Sequence, residues 1–167
     1  MNAALNEQIG NEFGASLQYV AIASHFAGEG LNELAARFHR QADEERDHAM
    51  RFVNYIVEAG GEVKIPAIPA PKSSFASVAE AVKLSLTWEQ TVTRQINRLM
   101  DLAVKEGDHI AQNFLGWFVR EQLEEVSSMD NLLKLVQRAG ETNLVYVEAI
   151  LARSNEKGKA PEAEDEN

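Results

Sequence analysis

Residues 44–48 read Glu44-Glu45-Arg46-Asp47-His48 and lie in the middle of a long run of helical periodicity. On a helix, Glu45 and His48 project from the same face because they stand three residues apart. Apolar residues surround this pair at helical spacing: Leu34, Phe38, Ala42, Ala49, Phe52 and Ile56. The pattern predicts a carboxylate and an imidazole inside a core, where an uncompensated charge costs on the order of several kcal/mol. A cation held in the core would remove that conflict.

The composition favours one globular, acidic domain. The chain has 167 residues, is 45% hydrophobic and carries a formal net charge of −10. Such a charge repels nucleic acid and anionic lipid and attracts cations, so we expect neither DNA nor a membrane as a partner. The sequence has no cysteine, which excludes disulfides, thiolate metal sites and iron–sulfur clusters. The N-terminus lacks the pattern of a secretory signal, and we expect a cytoplasmic protein.

Periodicity and glycine stops predict an all-α fold of four long helices and a short fifth. The expected helices cover about 2–27, 32–58, 77–106, 109–139 and 142–152. Between the second and third helices, residues 60–76 contain three prolines, through which a helix cannot run. This segment is long enough to traverse a bundle, so we expect a long crossover between two parallel helices.

Helix caps and apolar stripes give more detailed expectations. Asn2 is the expected N-cap of the first helix, Ser77-Val78-Ala79-Glu80 a capping box for the third, and Asp108 the cap of the fourth. The expected inward stripe of the first helix is Ile9, Phe13, Ser16, Leu17, Val20 and Ser24. That of the fourth helix is Ile110, Phe114, Trp117, Phe118, Met129, Leu132 and Val136.

Each long helix carries a glutamate near mid-length on its apolar stripe: Glu12, Glu45, Glu89 and Glu125. A single inward glutamate is usually a rim residue or half of an ion pair, but four in one bundle bring about four negative charges together. No lysine or arginine shares those stripes. Two divalent cations would balance the charge, so the pattern predicts a two-metal site.

The ligand types restrict the metal. Carboxylate oxygens with one imidazole and no sulfur suit iron or manganese, and zinc can also occupy such sites. The fourth helix offers Gln122 three residues before Glu125, where a second Glu-x-x-His would have supplied another nitrogen. The two metal positions are therefore expected to be inequivalent.

Taken together, the motifs resemble those of the prokaryotic non-haem ferritins over about residues 1–153. The motifs are Glu12 with Tyr19, Glu44-Glu45-x-x-His48, Glu89, and Trp117-Phe118-x-x-Glu121-Gln122-x-Glu124-Glu125. The wider ferritin-like fold is a standard example of a four-helix bundle with one crossover and a carboxylate di-iron site. The resemblance thus implies a ferritin-like bundle.

The resemblance also implies a ligand set. The first iron would be held by residues matching Glu12, Glu45 and His48. The second would be held by those matching Glu45, Glu89 and Glu125, with Glu45 bridging the two irons.

Further positions follow from the same resemblance. A third iron position would involve Glu44, Glu121, Glu124 and Glu125, and Gln122 and Tyr19 would stand beside the metals. A one-residue step turns a side chain about 100° around a helix, so the flanking carboxylates should ring the edge of the iron pair.

In function, the resemblance implies a ferroxidase that oxidises Fe(II) with O2 and stores ferric mineral in a homo-oligomeric cage of 24 subunits. Bacterioferritins carry a haem-ligating Met directly after the bridging glutamate and a His three residues after the last one. This chain has Arg46 and Ser128 there, so no haem is expected.

Three other interpretations stay open. A rubrerythrin-like peroxidase would need a second Glu-x-x-His and a Cys-rich iron domain, neither of which is present. A DNA-protecting mini-ferritin would place its ligands between subunits and lack a fifth helix. A non-catalytic scaffold is the third. Residues 154–167 are expected to form a flexible acidic tail after the domain of residues 1–153.

Overall fold

The structure is a computed structural model that describes residues 1–157. These residues form α1 (Asn2–Gly28), α2 (Asn32–Glu58), α3 (Val78–Glu106) and α4 (His109–Ala139), followed by a 3-10 turn (Glu141–Asn143) and α5 (Leu144–Lys157). The predicted all-α bundle with a short fifth helix is confirmed. Within the described residues, no helix is both long and apolar enough to cross a membrane.

The four long helices pack as two antiparallel pairs, α1 with α2 and α3 with α4. The N-terminal ammonium of Met1 lies 3.2 Å from Glu106, so the start of α1 meets the end of α3. Between the other two helices, the Phe52 ring of α2 packs at a centroid distance of 5.3 Å on Phe114 of α4. Helices α2 and α3 are therefore parallel, as the crossover prediction requires.

The crossover between α2 and α3 is fixed along α1 by two buried amides. Asn6 Nδ2 donates to the Glu62 carbonyl (2.9 Å), and Asn6 Oδ1 accepts from the Lys64 amide (2.6 Å). Three turns further along α1, the Gln18 side chain makes the same two-way contact with the backbone of Lys72 (2.8 and 2.9 Å). These amides satisfy backbone groups that have no helix or sheet partner.

Gly10 allows the crossover to approach α1 closely. A Cβ atom at this position would lie 2.4 Å from Cγ of Pro66, so alanine would force the two segments apart. Gly10, Asn6 and Gln18 therefore allow the crossover to pack along α1. The pattern of apolar residues in α1 does not predict this role for any of them.

The predicted caps are confirmed in part. Ser77 Oγ accepts from the Glu80 amide (3.0 Å), but the Glu80 carboxylate reaches back to the Ala76 amide (2.6 Å) instead of the Ser77 amide of a full capping box. Asp108 caps α4 through the Ala111 amide (2.9 Å), as predicted. The prediction for Asn2 is wrong, because Met1 occupies the N-cap position and Asn2 begins the helix.

The predicted core face of α2 is confirmed in full, whereas that of α1 is partly wrong. Leu17 and Val20 are 44% and 41% exposed, and the inward face of this half of α1 is instead formed by Ala15, Tyr19, Ile22 and Phe26. On α4, Ile110 is 74% exposed, and Ala111 and Leu115 take its place in the core. Periodicity alone did not distinguish the core face from an apolar outer face.

Helix α5 packs on α2 and α4. Its Val147 and Leu151 join the bundle core. The Glu148 carboxylate accepts from the Glu33 and Leu34 amides (2.8 and 2.9 Å) and so caps the start of α2. The predicted tail of residues 154–167 begins inside α5, and residues 158–167 lie outside the described part of the chain.

Candidate metal centre

The four inward glutamates and His48 are all buried at the middle of the bundle, one glutamate from each long helix. Glu12, Glu45 and Glu89 have no exposed surface, while His48 and Glu125 are 4% and 6% exposed. Each stands among apolar neighbours on the inner face of its helix, which is why the helix buries it. The prediction that all four glutamates are buried in the bundle is confirmed.

Glu12, Glu45 and His48 form a compact donor group. One ligand atom from each lies within 4.8 Å of the others. The Nδ1 atom of His48 is 3.4 Å from Oε2 of Glu45, as expected for residues one helical turn apart on α2. This arrangement can hold one cation between α1 and α2.

A second donor group joins α2 to α4. His48, Glu121 and Glu125 each contribute one ligand atom within the same 4.8 Å limit. Glu121 is half-buried and comes closer to the centre than its expected place in the third position suggests. Glu89 lies outside both groups, although its charge adds to the effect of burial in raising the pKa of Glu45 and of Glu125.

Several carboxylate oxygens in the centre have no hydrogen-bond donor among the described residues. They are Oε2 of Glu12, both oxygens of Glu45 and Oε2 of Glu89, and Nδ1 of His48 is also without a partner. Buried carboxylates without donors are strongly destabilised unless they bind protons or cations. The donor set is therefore suited to hard or borderline divalent cations such as Fe(II).

Burial and mutual repulsion raise the pKa of the four inward glutamates, one from each long helix. Burial raises the pKa of Glu12 and Glu45 well above the ordinary range, and repulsion from Glu45 and Glu89 respectively adds to this. Burial raises the pKa of Glu89 to about 7, with a further contribution from the Glu12 charge. The pKa of Glu125 is also about 7, because of burial and then the Glu89 charge. Without metal, the centre takes up protons.

The sequence did not predict the hydrogen bonds that orient Glu12 and Gln122. Gln8 Nε2 donates to Glu12 Oε1 (2.9 Å) from one turn earlier on α1. Thr93 Oγ1 lies 2.9 Å from Gln122 Oε1, and so fixes the amide of Gln122 from the facing helix. The first contact has a sequence signal in its i, i+4 spacing, whereas the second depends on how α3 and α4 are rotated.

Two aromatic residues, Tyr19 and Trp117, contact residues of the centre. The buried Tyr19 hydroxyl donates a short hydrogen bond to Glu89 Oε1. Burial and then the Glu89 charge raise the pKa of Tyr19, so the phenol keeps its proton. The Trp117 ring stands edge-on to His48 at 5.4 Å, with the Arg51 guanidinium 4.0 Å above its face. Tyr19 thus contacts a proposed ligand directly, and Trp117 packs against another.

The other carboxylates of the expected third position lie at the edge. Glu44 and Glu124 are exposed. The Gln41 amide donates a short hydrogen bond to Glu44.

Sequence reasoning missed one cation close to the centre. No lysine or arginine shares the stripes that carry the four glutamates, yet Arg37 of α2 interacts electrostatically with Glu125 and Glu44. Arg37 stands two turns before Glu44 and reaches across to α4. Its position could have been noticed only from the seven-residue spacing.

Comparisons with known proteins identify relatives of this chain. A sequence model described as the ferritin-like domain of the family Ferritin matches residues 2–139. Over 152 residues the chain is 45% identical to "Ferritin BfrB" of Mycolicibacterium smegmatis, covering 91% of this chain and 83% of that protein. It is 37% identical over 145 residues to "Bacterial non-heme ferritin" of Staphylococcus aureus, covering 86% and 87% of the two chains.

Solved structures show the same architecture. An open pore ferritin from the archaeon Archaeoglobus fulgidus superposes with a TM-score of 0.87 at 33% identity, covering 90% of this chain and 93% of that chain. A "Humanized Archaeal ferritin" superposes with a TM-score of 0.88 at 32% identity.

Proposed function

This chain belongs to the ferritin family, and on that premise we propose that it stores iron by oxidising Fe(II) with O2 at a two-iron site inside each subunit. The observation that supports this most strongly is the burial of Glu12, Glu45, Glu89 and Glu125 around His48. Four carboxylates in one core have no structural benefit that apolar side chains would not exceed. Their cost is understandable if the site binds cations.

Two Fe(II) ions, as substrates, would occupy adjacent positions. Glu12 and His48 would hold the first, Glu89 and Glu125 the second, and Glu45 would bridge them. The unpartnered oxygens of Glu45 support a bridging role, because both are buried and accept nothing from the described residues. Gln8 donates to one oxygen of the Glu12 carboxylate, so the other oxygen of Glu12 would face the metal.

The two Fe(II) ions supply both electrons that the oxidation step requires. Each Fe(II) loses one electron to become Fe(III), and O2 takes up both electrons together with two protons to give hydrogen peroxide. The Fe(III) product then leaves for the mineral. The protein supplies geometry and charge, while the redox chemistry belongs to iron.

The carboxyl groups also move protons. Because the pKa of Glu89 and of Glu125 is about 7 without metal, part of each population is protonated at neutral pH. Binding of Fe(II) must displace these protons, since a carboxylic acid is a poor metal ligand. Tyr19 would hold Glu89 in place through its hydroxyl, and Gln122, fixed by Thr93, would present its amide beside the second iron.

Glu44, Glu121 and Glu124 would form, with Glu125, a third iron position on the route out of the centre. Their increasing exposure supports a transit role: Glu125 is buried, Glu121 half-buried, and Glu44 and Glu124 exposed. An ion that moves from Glu125 to Glu124 would pass from a buried to an exposed carboxylate.

We also propose assembly of the subunits into a 24-subunit homo-oligomeric cage, without haem, in the cytoplasm. Exposed apolar side chains on the surface support association, among them Leu123, Val145, Tyr146 and Ile110. The domain proposed for residues 1–153 would form the shell, and residues 154–167 would add an acidic extension to it.

Anomalous diffraction from crystals of metal-free protein soaked anaerobically in Fe(II) tests the proposal. We expect two iron peaks per subunit, both contacting Glu45. A single peak, or iron bound only at exposed carboxylates, would contradict the two-iron site.

A further inference from the structure

A small pocket lies beside the proposed iron positions, between the first half of α2 and the second half of α4. Its volume is about 140 Å³, and it is lined by Arg37, Arg40, Gln41, Glu44 and Ser128. Two guanidinium groups thus face a space of small-ion size in an otherwise acidic protein. The iron site described above does not use them.

Arg37, which lines this pocket, has a donor without an acceptor. Its Nη2 donates to Ser128 Oγ at 2.6 Å, but its Nε is buried and meets no acceptor among residues 1–157. Burial, and then the positive charge of Arg40, lowers the pKa of Arg37. A buried guanidinium N–H without an acceptor is costly, so the geometry calls for an anion with acceptor oxygens.

Gln41, in contrast, has a side-chain acceptor without a donor. It is 6% exposed, and its Nε2 donates to Glu44. Its Oε1 is buried and accepts from no donor in the described part of the chain. Arg37 and Gln41, which both line the pocket, therefore have one unused donor and one unused acceptor between them.

We propose that this pocket binds inorganic phosphate in a protonated form. The phosphate oxygens accept from Arg37 and Arg40, since guanidinium groups match the geometry of tetrahedral oxyanions. The remaining P–OH group donates to Gln41 Oε1. The Glu44 carboxylate also lines the pocket and repels anions of higher charge, so it favours hydrogen phosphate over the fully ionised form. Sulfate has the same shape and no proton near neutral pH, and is disfavoured.

Phosphate binding at this pocket requires no metal and does not rest on the proposed function. The role that we assign to the bound phosphate does rest on the proposed iron-storage function. Glu44 belongs both to the pocket and to the proposed third iron position, so an outgoing Fe(III) ion would meet phosphate before it reached the mineral. The pocket would then supply the anion with which the ion is deposited.

Equilibrium dialysis of metal-free, full-length protein against radiolabelled inorganic phosphate at pH 7 tests the proposal. We expect saturable binding of one phosphate per subunit that equimolar sulfate does not displace. Arg37→Gln should weaken this binding at least about tenfold. Arg94→Gln, which removes one positive charge from the exposed face of α3, should leave it unchanged.

Gln41→Met provides a second test that keeps the side-chain length while removing the acceptor. In this variant phosphate and sulfate should compete nearly equally. The proposal is overturned if the parent shows no saturable site, if sulfate competes equally in the parent, or if Arg37→Gln folds normally and binds phosphate as the parent does. Should Arg37→Gln not fold, unchanged discrimination in Gln41→Met overturns it as well.

Discussion

The Nδ1 atom of His48 lies 3.4 Å from Oε2 of Glu45, and both atoms are buried without a hydrogen-bond partner among the described residues. A carboxylate and an imidazole that simply stabilised the fold would share a proton in a short, well-aligned contact. The observed arrangement leaves both free for a third group. A cation that both donors contact accounts for this relationship, and the predictions below follow from it.

Removal of a carboxylate charge should not harm the metal-free fold. We expect Glu12→Gln and Glu89→Gln to be as stable as the parent without metal, or more stable, because each removes a buried group that repels its neighbours. Metal binding should weaken in both. Thermal unfolding of metal-free protein measures the first effect, and a drop of several degrees in both variants would make these carboxylates structural.

Stability of the metal-free protein should fall as pH rises from about 5 to about 8. The folded-state pKa of Glu89 and of Glu125 is about 7, above the unfolded value of about 4.3. Between these values the folded state binds more protons than the unfolded state, so each unit of pH costs up to about 1.4 kcal/mol per group. Melting temperatures at pH 5.5 and pH 8 measure this slope. Glu89→Gln should flatten it, and an equal slope in that variant would exclude Glu89 as a source.

The outer face of α5 should control assembly while its inner face stabilises the subunit. Val145 and Tyr146 are 70% and 65% exposed, whereas Val147 has no exposed surface. The double variant Val145→Lys/Tyr146→Lys should therefore fold but form smaller species in light scattering. Deletion from Thr142 onward should also uncover the core beneath Val147, so it should lower the melting temperature besides opening the shell. A full-size cage formed by the double variant would remove α5 from the subunit interface.

Glu124→Ala should separate transit from the first oxidation. Since Glu124 is exposed and lies outside both donor groups, the first two Fe(II) per subunit should be oxidised at the parent rate. Later additions should be oxidised more slowly or with a changed O2 stoichiometry. An oxygen electrode follows this over successive additions. If the variant and the parent behave alike throughout, Glu44, Glu121 and Glu124 are surface charges.

The sequence predicted what depends on local periodicity. The bounds of α2 and its whole apolar face are confirmed, and the conflict between Glu45 and its apolar neighbours correctly indicated a buried charged centre. Leu17 and Ile110 were wrongly placed in the core because apolar residues on an outer face have the same period as those of a core. Only the packing of neighbouring elements distinguishes the two faces.

Contacts between helices could not be predicted. Thr93 contacts Gln122 because of the way α3 is rotated relative to α4. Arg37 contacts Ser128 because of the way α2 is rotated relative to α4. Likewise, nothing in the periodicity of α1 indicated that Asn6 and Gln18 would fix the crossover. A single sequence shows which residues a helix buries, but not which residue of another helix each one touches.

The rate of Fe(II) oxidation in variants of α2 tests the central claim most directly. Metal-free protein loaded anaerobically with two Fe(II) per subunit is mixed with O2 in a stopped-flow spectrophotometer. We predict that Glu45→Ala abolishes the fast phase and that His48→Ala slows it strongly, while the exposed control Glu58→Ala behaves as the parent. Unchanged fast phases in both Glu45→Ala and His48→Ala would contradict the account.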